Sequence, residues 1–132
     1  VLTNVTVTST QSVPTILGAP VNQSVVVVAF KNASAVGATA AASNVSTNAN
    51  ASLVPQATGS VVYGVGNDFD RAVSRTAGAG QTKIHEFLAP TGDTFWMQSL
   101  NANTTAGTSV TLNATAAGVA DQWNFAIVEI KR

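Results

Sequence analysis

The chain has 132 residues, 45% of them apolar and only 9% charged, with six basic side chains balancing six acidic ones and no cysteine. That length fits one domain with a real core, and the normal apolar content means that disorder does not explain the missing charge. Zero net charge excludes a nucleic-acid footprint, and the lack of cysteine excludes a disulfide scaffold, a thiolate metal site and a cysteine nucleophile.

Leu2 to Ser9 (LTNVTVTS) alternates apolar and polar residues and reads as a half-buried strand. Thr10 to Gln23, with Pro14, Gly18 and Pro20, reads as a loop. Ser24 to Lys31 (SVVVVAFK) is a short, β-branched apolar run and is expected to form a central strand buried on both faces. Val36 to Ser43 and Ala51 to Val54 read as weaker strands. The alanine clusters Ala38 to Ala42 and Ala114 to Ala117 show no 3.6-residue stripe, so no helix is expected there.

Gly59 to Leu100 organises the rest. It holds one of two tryptophans, the only tyrosine and histidine, and seven of the twelve charged residues. GND, GAG and PTGD divide it into strands at Ser60 to Val65, Thr82 to Leu88 and Thr94 to Leu100. Thr108 to Ala114 alternates, and Gln122 to Ile130 closes the chain as a core strand. The expectation is a single all-β domain over 1–132. It is an antiparallel sandwich of jelly-roll or immunoglobulin-like type with about eight or nine strands. Residues 1–20 would form an N-terminal strand and loop that pairs with a neighbouring chain.

The run VVYGVGNDFDRAVSRTAGAGQTKIHEFL, then TGDTFWMQS, then AGTSVTLNATAAGVADQWNFAIVEI resembles a β-sandwich module of large secreted bacterial proteins. The match covers roughly Val25 to Ile130. Members of that group tend to read VVGVGND, GAGQT, DTFWVQ and WN-A-VEI in this order. The resemblance implies an extracellular location and a sandwich fold, with no assigned chemistry. Further strands often precede the matched portion in that group, which implies a trimmed module or a sandwich edge left for something else to cover.

Several residues are candidates for chemistry or binding. His85 and Glu86 are adjacent on a strand, so their side chains would diverge, and no G-x-S-x-G elbow accompanies them; no catalytic residue and no enzyme activity is expected. Asn67, Asp68 and Asp70 offer oxygen ligands suited to Ca²⁺. They lack EF-hand spacing and a second acidic cluster, and an Asp pair with Arg71 within the turn is the simpler reading. No other cofactor is expected. The glycines Gly64 and Gly66 do not complete a dinucleotide loop.

Trp96 and Gln98, with Tyr63, would form a carbohydrate-binding platform if their face of the strand is the outer one. Lys31, with Asn124 and Glu129 on the closing strand, is a candidate for an intramolecular isopeptide bond, against the simpler reading of a lysine snorkelling at a strand end. Sequons start at Asn4, Asn22, Asn32, Asn44, Asn50, Asn103 and Asn113, as expected of a secreted glycoprotein or of a Thr- and Asn-rich bacterial surface protein.

No run approaches the length of a membrane span, so no membrane insertion is expected. Any signal peptide is expected to be gone, since Val1 opens without a charged leader. These readings converge on a secreted, cell-surface, non-catalytic structural or adhesive module. It would self-assemble or join other extracellular subunits through sheet edges, with a carbohydrate-binding module as the alternative.

Overall fold

Along the closing strand, every second side chain from Asp121 to Glu129 points inward, and the residues between them face out or lie half-buried. That period-2 pattern marks a strand with one core face. The computed structural model describes residues 24–118 and 120–132. Its strands are β1 (Ala35–Ser46), β2 (Asn48–Leu53), β3 (Val61–Asp68), β4 (Arg75–Ala77), β5 (Gln81–Leu88), β6 (Thr94–Leu100), β7 (Val110–Ala116) and β8 (Asp121–Lys131). All pairings are antiparallel. One sheet has five strands in the order β1-β8-β3-β6-β5, and the other has three in the order β2-β7-β4. The fold is an all-β, two-sheet sandwich. Ala38 to Ala42 lies in β1 and Ala114 to Ala116 in β7, and no helix among the described residues is long and apolar enough to cross a membrane.

The core lies between the sheets. Val62, Trp96, Trp123, Phe125 and Ile127 from the five-stranded sheet meet Ala49, Ala51, Leu53, Leu112 and Ala114 from the other. Large rings on one side face mostly methyl groups on the other, the large-to-small pairing by which two sheet layers interdigitate. Within the five-stranded sheet the glycines of β3 make room for those rings. A Cβ on Gly64 would lie 2.7 Å from Cζ of Phe125, and one on Gly66 would fall inside the indole of Trp96. Gly66→Ala is therefore expected to destabilise the domain by about 2 kcal/mol through overpacking, read as a lower urea midpoint at unchanged slope.

Two sequence expectations need correction. Ser24 to Lys31 is not a central strand: the middle of the large sheet belongs to β8 and β3, and Val25 and Val27 are 51% and 68% exposed. A strand buried on both faces needs cover on both, and among the described residues no second sheet lies over the outer face of this one. The run instead crosses that face. Ser24 Oγ lies 2.7 Å from Nε2 of His85 on β5, and Phe30 packs edge-on against Tyr63 of β3 with centroids 5.0 Å apart. Secondly, Asn67 and Asp68 belong to β3 rather than to a turn, since that strand pairs with β6 and β8 as far as Asp68. The expected strand at Leu2 to Ser9 and its loop lie outside the described residues.

Candidate interaction surface

The two sides of the sandwich are finished differently. On one side β5 and β4 lie next to each other without forming a ladder. A register shift between Lys83 and His85 puts Lys83 and Glu86 on the same side of β5. Lys83 Nζ donates to the Arg75 carbonyl at 2.7 Å and to Glu86 Oε2 at 2.8 Å, while Glu86 Oε1 accepts from the Arg75 amide at 2.7 Å. Burial works against the Glu86 carboxylate, but Lys83, the Arg75 amide and the Ser74 hydroxyl together hold its pKa below the usual value. Charge seals this side.

Among the described residues the other side has no such seal. β1 is the edge of the large sheet, and after Thr47 alone the chain continues as β2, the edge of the small one. Ala35 to Leu53 contains no charged residue and no proline. Lysine, proline and bulges are the usual protections of a free edge. A register shift between Val36 and Thr39 disturbs the start of β1, where the Ala38 amide donates to Glu129 at 2.9 Å. Near the other end the Val45 amide is taken by Asn44 Oδ1 at 2.7 Å. Between them, Thr39 to Asn44 keeps an unbroken register with β8 and is lined by Ala and Ser.

The outer face of the large sheet carries side chains in rows set by the register. Ser43, Asn124, Asn67, Phe95 and Phe87 are successive cross-strand partners, and Ala41, Ala126, Val65, Met97 and His85 form the next row. A shallow depression of about 480 Å³ opens there over Ala41, Val65 and Ala126, with Phe95 and the carboxamides of Asn67 and Asn124 along it. Phe95 stacks on Phe87 with centroids 6.3 Å apart.

The structure places the sequence candidates apart. Trp96 and Gln98 are not on an outer face: they are 2% and 0% exposed in the core, where Trp96 Nε1 donates to Gln98 Oε1 at 3.1 Å and Gln98 Nε2 reaches the Asn113 carbonyl at 3.0 Å. Tyr63 faces the opposite way, beneath Phe30. These three form no carbohydrate platform. Alternation left both faces open, and the space above Gly66 decided it for the indole.

Asn67, Asp68 and Asp70 likewise form no Ca²⁺ site. Asn67 lies in the outer-face row, Asp68 points inward to the buried Arg75 guanidinium, and Asp70 Oδ2 accepts the Gln122 amide at 3.2 Å. Among the described residues no group of three or more His, Asp or Glu is placed to hold a metal. Arg71 pairs with Asp121 across the sheet end at 3.0 Å, not within its own turn. Lys31 and Asn124 are exposed while Glu129 is buried, so no isopeptide triad forms. His85 and Glu86 do diverge, towards Ser24 and towards Lys83 respectively.

Of the sequons, Asn32, Asn44, Asn50 and Asn103 are exposed, while Asn113 is half-buried with Oδ1 accepting from Gln81 Nε2 at 2.9 Å. Asn4 and Asn22 lie outside the described residues.

Two buried charges were not singled out as structural. Arg75 is fully enclosed, paired with Asp68, with its guanidinium 5.0 Å from the Trp96 ring centroid. Glu129 accepts the amides of Ala38, Gln56 and Ala57 at 2.9, 2.9 and 3.0 Å, tying β1 and the loop after β2 to β8. Burial alone would raise its pKa, and these amides outweigh that and hold it at about 2. The readable signal was phase: Glu129 follows Trp123, Phe125 and Ile127 on the inward positions of its strand.

Comparison with protein families, with characterised proteins and with solved structures gave no match.

Proposed function

We propose that the chain is a non-catalytic structural or adhesive module of an extracellular assembly, associating through its sheet edges. The observation that carries this reading is the asymmetry of the sandwich. One side is closed by Lys83 and Glu86, and the other presents Ala35 to Leu53 without a charge or a proline. An edge of that kind is a template for strand addition. The Thr-, Asn- and Ala-rich composition, the exposed sequons and the resemblance to modules of secreted bacterial proteins support a cell-surface location.

Light scattering on the isolated chain, with negative-stain microscopy of native material, tests it. Concentration-dependent association, or filaments with a subunit repeat, is the expected result. A monodisperse species at 13.4 kDa at every concentration would overturn it. Asn44 and Asn50 lie on the open edges, so the associating form is expected to carry no glycan at either, a point that intact-mass measurement checks.

A second reading, carbohydrate binding, rests on the outer-face depression, where Phe95 and the carboxamides of Asn67 and Asn124 flank an apolar floor. An aromatic face with amides beside it suits a sugar ring. A glycan screen in which Asn67→Ala and Asn124→Ala abolish a wild-type signal would favour it.

A further inference from the structure

The strongest β-forming run of the chain is also one that joins no described ladder. Ser24 to Phe30 holds four consecutive valines with no glycine, proline or charge, the composition that pairs most readily with a strand edge. Yet among the described residues no backbone group from Val25 to Phe30 has a hydrogen-bond partner, and side chains hold the run at its two ends. Where a strong local preference goes unused in a fold, a function is the first explanation to test.

We infer that Ser24 to Phe30 is the strand one copy of this chain adds to the open edge of β1 in another. This rests on the edge-association reading and names its partner as a second copy. Within one subunit the run leads away from β1: after the Lys31–Asn32 turn it passes Tyr63 on β3 and ends at His85 on β5, the far edge of the sheet. Among the described residues no strand of the same subunit pairs with the outer edge of β1, which leaves it for another copy.

The two surfaces match. Thr39, Ala41 and Ser43 are small and exposed, which leaves space for incoming valine side chains, and neither surface carries a charge to repel or to be desolvated. Each copy then holds one donor and one acceptor, which gives reciprocal dimers or open-ended chains.

The test uses two lysine variants of the full chain at exposed positions. Val27→Lys disables the donor and Ala41→Lys the acceptor, with Thr105→Lys as a control in an exposed loop. Light scattering is expected to show the wild type and the control associating and each of the other variants monomeric, with wild-type circular dichroism. An equimolar mixture of Val27→Lys and Ala41→Lys retains one good donor and one good acceptor. It is expected to form a heterodimer that stops at two copies.

Association that survives both substitutions, or a mixture that stays monomeric, overturns the inference while leaving edge association itself standing. A wild type that never associates removes both. Val25→Lys and Ser43→Lys replace either variant that fails to fold.

Discussion

Arg75→Met is expected to cost about 3–5 kcal/mol of stability, enough to unfold much of a marginal domain, because it strands the Asp68 carboxylate in the core without its counter-charge. Both side chains are fully buried, and Asp68 has little else: its Oδ1 takes one long bond, 3.3 Å, from the Asp70 amide. The lost contact of the guanidinium with Trp96 adds to the deficit. The double variant Asp68→Leu with Arg75→Met removes the stranded charge as well and is expected to recover most of the loss. Urea unfolding of the wild type, both singles and the double gives the coupling directly. A double variant as unstable as the sum of the singles would show that the pair is not the unit that matters.

Glu129→Gln is expected to cost about 2–3 kcal/mol, since one amide oxygen replaces a carboxylate that accepts three backbone N–H groups. The same geometry makes stability depend on acid. With a folded pKa of about 2 against an ordinary 4.5, the Glu129 contribution is complete above pH 4.5 and is lost as pH falls towards 2. Urea midpoints taken at intervals from pH 7 to pH 2 should therefore drop through that window in the wild type and drop less steeply in Glu129→Gln. Some slope remains in the variant because Glu86 is also held below its usual pKa. Parallel wild-type and variant curves would exclude Glu129 as the titrating group. Local loss is expected first where the amides lie, at Ala38 on β1 and at Gln56 and Ala57. Amide exchange at low pH, with its intrinsic rate accounted for, follows that opening.

How much of this was legible follows from what a strand's period encodes. Turn residues bounding the apolar runs placed Thr94 to Leu100 and Gln122 to Ile130 with little error, and Asn, Gly and Pro breaks located most of the turns. The three-residue β4 escaped notice because so short a strand has no period to read. The valine run misled because β-propensity measures fitness for a pleated surface, and it does not say whether a sheet has a vacancy.

The sequence by itself determined an all-β chain with strands at most of the right places, a net charge of zero and the lack of cysteine. Those properties are local: they depend on composition and on a period of two. Only the tertiary structure decided which face of each strand is the core, because both faces of β6 are rich in apolar groups and the gap above Gly66 sends Trp96 inward. It also decided which edges are open among the described strands. Strand order depends on partners far apart in the chain, so the charged closure between β4 and β5 and the bare edge of β1 appear only when the sheets are assembled.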